Sequence, residues 1–150
     1  GNFIMSDRFN LEGSMDWVDC SIYLMFAYAH FTDWKLDEKE IEVIQEKAEL
    51  FVAHMASWDN MPYTDNDITK KMKKSFDWYC RSSNQSDEML LKEISDVAGW
   101  IKDQEWFNPT FAQNLVDWLT DIAKADGKVI DNEKGSIQNL AKSWGVSSPV

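Results

Sequence analysis

The sequence predicts an all-α protein, a single helical bundle organised by an internal pseudo-twofold repeat of a helix–loop–helix unit. Three observations predict it. Apolar residues recur every three to four positions along almost the whole chain, and no segment alternates at period two. Capping residues, glycine and proline punctuate that pattern at helix-length intervals. Two segments also match at an offset of 93 residues, Asp33-Trp34-Lys35-Leu36-Asp37-Glu38-Lys39-Glu40 and Asp126-Gly127-Lys128-Val129-Ile130-Asp131-Asn132-Glu133. Each has a lysine two after its first acid, an aliphatic three after, a glutamate seven after, and an isoleucine four beyond that, Ile44 or Ile137. Shared loop length, acid spacing and core register together favour duplication over the chance similarity of amphipathic helices.

The first helix is predicted from about Ser14 to Phe31. Trp17, Ser21, Leu24, Tyr28 and Phe31 form one stripe, and Ile22, Met25, Phe26 and Ala29 widen it most of the way round, which suits the middle of a bundle. The second starts at Asp37, where Asp37 and Glu40 make a capping-box-like pair. Ile41, Ile44, Ala48, Phe51, Val52 and Met55 face the core, Glu38, Glu42, Glu46 and Glu49 face away, and Trp58 to Tyr63, with Pro62, close the helix. The third begins near Thr64, with Asp67 at the reciprocal capping position and Ile68, Met72, Phe76 and Tyr79 turned inward. Arg81 to Ser86 reads as a short polar connection.

The fourth helix runs from Asp87 to about Lys102, with Leu90, Ile94, Val97 and Ile101 inward. Asn108 caps the fifth and Pro109 opens it, because a missing amide is harmless in the first turn. Phe111, Leu115, Trp118, Leu119 and Ile122 are its buried side, and Gly127 ends it. The sixth carries Ile137, Leu140, Ala141 and Trp144 and stops at Gly145. The repeat pairs Ile22 with Leu115, Met25 with Trp118, Phe26 with Leu119, and Ala48 with Ala141. Residues 1–150 therefore read as one domain: a first copy over about 14–57, connecting helices over about 64–103, and a second copy over about 108–145.

Composition narrows the function classes. At 44% hydrophobic and 13% aromatic the chain can bury a core. Lys+Arg 15 against Asp+Glu 26 gives a net charge of −11, a field that repels nucleic acid and favours cations or basic partners. Cys20 and Cys80 stand in no zinc or redox spacing and read as buried, reduced thiols. No stretch reaches the ~20 apolar residues of a transmembrane helix. The first eight residues lack a signal peptide's basic and apolar regions, so a cytoplasmic protein is expected.

Ala125-Asp126-Gly127-Lys128-Val129, followed by Glu133, Ile137, Ala141 and Gly145, resembles the second half of the TerB family of tellurite-resistance proteins. Those proteins commonly read Ala-Asp-Gly, a charged residue, an aliphatic, then Glu and an apolar stripe. Asp33 to Glu40 is similar to the family's first, less regular copy, although Trp34 stands where the second copy has Gly127. The resemblance implies a bacterial, cytoplasmic, pseudosymmetric helical domain that binds rather than catalyses. It implies a link to resistance to tellurite and other stresses, and to membrane-associated complexes at the inner membrane face. Related domains occur in a membrane-anchored J-domain co-chaperone, but the His-Pro-Asp tripeptide is absent here.

Two candidate surfaces follow. The first is acidic. Asp33, Asp37, Glu40, Asp126, Asp131 and Glu133 would meet across the pseudo-twofold axis and could bind a divalent cation such as Ca²⁺ or Mg²⁺, or a basic protein partner. Helix capping explains the same acids one at a time. The EF-hand pattern is not matched, since Lys128 and Ile130 stand where oxygen ligands belong. The second candidate is a partner surface made of Trp34 and Trp106, in connections, and the basic run Lys70, Lys71, Lys73 and Lys74. That run covers the arc opposite Ile68, Met72 and Phe76, as a solvated face does. His30 and His54 lie in no His-x-x-x-His or Glu-x-x-His pair, and His30 reads as a hydrogen-bonded core residue. No catalytic motif is present. The sequence thus predicts a non-enzymatic binding module. The alternative is a structural adaptor whose acids only cap helices, with partners docking on aromatic or lysine-rich surfaces. A third expectation is a small-molecule pocket between the first and fifth helices.

Overall fold

A computed structural model describes residues 17–30, 38–59, 65–105, 107–124 and 131–150. They form six helices, α1 (Trp17–His30), α2 (Glu38–Asp59), α3 (Asp65–Gln85), α4 (Asp87–Lys102), α5 (Pro109–Lys124) and α6 (Asp131–Trp144), and no strand occurs among them.

Helix α1 is the axis of the bundle. All of its residues are buried, as a helix apolar on every side requires. It packs against α2, α3, α4 and α5, while α6 leans on α5. Two aromatic clusters fasten it. On the α3 side Tyr23 stacks on Trp78 with ring centroids 4.0 Å apart, and Phe26 meets Phe76 edge-on at 5.2 Å. On the α2 and α5 side Trp17 packs edge-on against Phe51 and Phe111, and Phe51 against Trp118. The chain's aromatic content is thus spent largely on holding neighbours to one central helix.

The remaining helices show the expected buried faces, except that Ile41 of α2 and Trp118 of α5 are only half-buried, with two larger corrections. On α2 Ile44, Ala48, Phe51, Val52 and Met55 are buried, and Glu38, Glu42, Glu46 and Glu49 are exposed. On α4 Leu90, Ile94, Val97 and Ile101 are buried, as are Ile137, Leu140, Ala141 and Trp144 on α6. The first correction concerns α3. Its buried face is centred on Ser75, with Met72, Trp78, Tyr79 and Ser82, while Ile68 and Phe76 are only half-buried. The second is that Arg81–Gln85 continues α3 rather than forming a connection. The serines there are compatible with helix because their hydroxyls bond back to it. Ser82 Oγ donates to the Trp78 carbonyl at 3.1 Å and Ser83 Oγ to the Cys80 carbonyl at 3.3 Å.

Only Ser86 separates α3 from α4. Its backbone is extended, and its hydroxyl accepts from the Met89 amide at 3.0 Å. Asn108 caps α5 as expected, accepting from the Phe111 amide at 2.9 Å. Gly145 ends α6 at φ 72°, with Val146 N–H donating to the Ala141 carbonyl and Gly145 N–H to the Lys142 carbonyl. This is a Schellman cap, with Val146 packed on the core as its hydrophobic contact. Beyond it the last residues return over α5 and α6, where Gln113 bonds both the amide and the carbonyl of Ser147. The expected stops at Trp58 to Tyr63 and Gly127, and the start near Thr64, lie outside the described residues or side chains. No described helix is long and apolar enough to cross a membrane.

Candidate functional site

The described part of the acidic candidate is the start of α6. Asp131 and Glu133 both lie in its first turn, where a carboxylate is favoured by the unpaired amides and the helix dipole. The structure sends them opposite ways. Asp131 is exposed, whereas Glu133 is fully buried. Of the two, only Asp131 presents its side chain to solvent. Asp33, Asp37 and Asp126, and the side chain of Glu40, lie outside the described residues. Among the described residues no group of three or more His, Cys, Asp or Glu side chains could hold a metal ion.

The lysine candidate divides in two. Lys70 and Lys73 are exposed. Lys71 and Lys74 are half-buried and reach the carboxylate of Asp19, at 3.3 and 3.7 Å from the same oxygen. Asp19 sits fully buried in the first described turn of α1, and Ser75 Oγ donates to its carbonyl at 3.1 Å. The expectation of four lysines on one solvated face is therefore corrected. Because the buried face of α3 centres on Ser75, Lys71 and Lys74 flank that face and neutralise a core carboxylate. Trp34 and Trp106 lie outside the described residues.

Asp19 is the residue that sequence reasoning missed. The available signal was a lone acid inside the apolar run Trp17–His30. A buried carboxylate needs a cation, and the lysine run on α3 is where the cations are.

Chain comparisons add no relative. Compared with known protein families, curated proteins and solved structures, the chain matches none.

His30 is the hydrogen-bonded core histidine that was expected. Its Nδ1 lies 2.6 Å from the Tyr79 hydroxyl, and its Nε2 is 3.9 Å from a carboxylate oxygen of the exposed Asp87. The two cysteines are free, Cys20 buried and Cys80 half-buried. Burial raises the Cys80 thiol pKa and the neighbouring Asp77 charge raises it further, so the thiolate is disfavoured.

A groove of about 410 Å³ lies between α4 and α6, with Tyr28 of α1 in its lining. This groove is distinct from the pocket expected between the first and fifth helices. Helices α1 and α5 pack on each other directly, whereas α4 and α6 pack mainly on other elements.

Proposed function

We propose that the protein is a non-enzymatic binding module of the TerB-like kind, carrying an internal helix–loop–helix repeat. In this reading the acid-bearing turns before α2 and α6 face a divalent cation such as Ca²⁺ or Mg²⁺, or a basic protein partner. The observation that carries it is the matched register of the two halves. At the 93-residue offset Ile44, Ala48 and Phe51 of α2 correspond to Ile137, Ala141 and Trp144 of α6, and all six are buried. The same offset carries the start of α2 at Glu38 to the start of α6 at Asp131. Equivalent helices support equivalent turns, and a net charge of −11 favours cationic partners over anionic ones. The stress-associated, tellurite-resistance role, in the cytoplasm or at the inner membrane face, belongs to the same proposal and rests on the Ala125–Val129 resemblance.

One observation favours the second reading, a structural adaptor whose acids only cap helices. Glu133 is fully buried, which is the position of a structural carboxylate. Calorimetric titration of the full chain with Ca²⁺, Mg²⁺ and a lysine-rich peptide separates the two readings when run on Asp131→Asn and Glu133→Gln. The binding module predicts that Asp131→Asn weakens binding at unchanged melting temperature. Glu133→Gln should lower stability by about 1–3 kcal/mol. Absence of binding by both metals and by the peptide, at the millimolar concentrations that suit even weak calcium sites, would leave the adaptor standing.

A further inference from the structure

We propose that the α4–α6 groove is a binding site for a small uncharged amphiphile, a molecule with an apolar body and a neutral hydrogen-bonding head. The inference is independent of the acidic turns.

The groove has the size of a ligand site. Its 410 Å³ falls inside the ~300–1,000 Å³ typical of small-molecule pockets. Along α4 it runs from Leu91 to Gly99, about 12 Å at the helical rise. The two helices are joined near their C-terminal ends. Trp144 Nε1 donates to the Ala98 carbonyl at 3.1 Å, and Lys102 Nζ donates to the Ser143 carbonyl at 2.8 Å. These two bonds tie the walls to each other beside the groove.

The lining states the ligand's chemistry. Leu91, Ile94, Ala98 and Leu140 supply an apolar strip. Ser95, Ser136, Asn139 and Ser143 supply hydroxyls and an amide, and none of the ten lining residues is charged although 27% of the chain is. The phenol of Tyr28 also stays neutral, because burial raises its pKa. A charged head would find no counter-ion among the ten lining residues, and the nearby Lys102 ammonium is already held by the Ser143 carbonyl.

Two further features point outward to a ligand. Several helical hydroxyls elsewhere are engaged within the protein, Ser82 to Trp78, Ser83 to Cys80 and Thr120 to Val116 along their own helices, and Ser75 to Asp19 of α1. The four polar side chains of the groove make no such bond among the described residues, so their donors and acceptors are open to a visitor. Gly99 is the second feature. A glycine within a helix is unfavourable, and a Cβ built at Gly99 would meet nothing within 4 Å. Packing inside the molecule therefore does not require a glycine there. Its bare backbone widens the groove wall.

Binding of the neutral dye Nile red to the full chain tests this, with displacement by glycerol monodecanoate and by decanoate. We expect saturable one-site binding. Gly99→Leu and Ser136→Leu, which fill the groove from opposite walls, should each weaken it at least about tenfold. Leu50→Ser removes an apolar side chain exposed elsewhere on α2 and should change nothing. Glycerol monodecanoate should displace the dye at a concentration at least about tenfold below that needed for decanoate. Gly99→Leu adds a side chain into open space, and an unchanged melting temperature checks that it folds. Unaltered dye affinity in both groove variants would overturn the site, and so would loss of binding in Leu50→Ser. Equal displacement by decanoate would overturn the assignment of a neutral ligand.

Discussion

Asp19 shows how one residue can dictate the surroundings of a helix. Its carboxylate has no exposure to water, and two lysines of α3 meet it. Taking an ion out of water is unfavourable by several kcal/mol unless an opposite charge lies close. Lys71→Met together with Lys74→Met should therefore lower stability by about 3–5 kcal/mol, because a buried carboxylate loses these cations. Adding Asp19→Leu to that pair should restore most of the loss, as urea denaturation of all three variants would read. A second effect at this scale belongs to Tyr28, whose phenol pKa burial pushes well above the ordinary range. The folded state thus holds this proton more tightly than the unfolded chain does. Its contribution is fully present below the unfolded pKa of about 10 and falls away as pH rises beyond it. Tyr28→Phe should lose less stability than the parent between neutral pH and pH ~11, measured as the shift in urea midpoint.

At the scale of elements, the helices are set by their ends as much as by their faces. Ser86 and Asn108 each satisfy an otherwise free amide, and Gly145 adopts the left-handed turn that ends α6. Gly145→Ala forces a Cβ into that turn and should lower stability by about 1 kcal/mol. Gly99→Ala stands in regular helix facing open space, so it should raise stability by about 0.5–1 kcal/mol. Opposite signs for the same chemical change, read from melting temperatures, would show that backbone conformation and not side-chain size decides. The merging of Arg81–Gln85 into α3 belongs here too. A polar composition signals a loop only where side chains compete with the helix, and Ser82 and Ser83 instead bond along it.

At the scale of the molecule, α1 is the common neighbour of four helices, and its substitutions should spread furthest. Phe26 touches both Phe76 and Tyr79 of α3 and is fully buried. Phe26→Ala should lower stability by about 3–5 kcal/mol by opening a cavity between α1 and α3, measured by denaturant unfolding. The groove opens between α4 and α6, which are not close neighbours of each other. These helices pack mainly on other elements, and their facing sides carry small polar residues.

The sequence by itself determined the helical class, the inward faces of α2, α4 and α6, the Asn108 cap and the Gly145 stop. All of these depend on neighbours within one or two turns, where spacing and backbone preference decide. It also marked α1 as central, because a helix apolar all round cannot face water. Only the tertiary structure decided that Glu133 turns inward while Asp131 turns out, that Lys71 and Lys74 serve Asp19, and that the groove lies between α4 and α6. Each of those depends on the rotation of one helix against another far away in the chain. A rotation of a few tens of degrees exchanges a solvated side chain for a buried one without changing the local pattern from which helices are read.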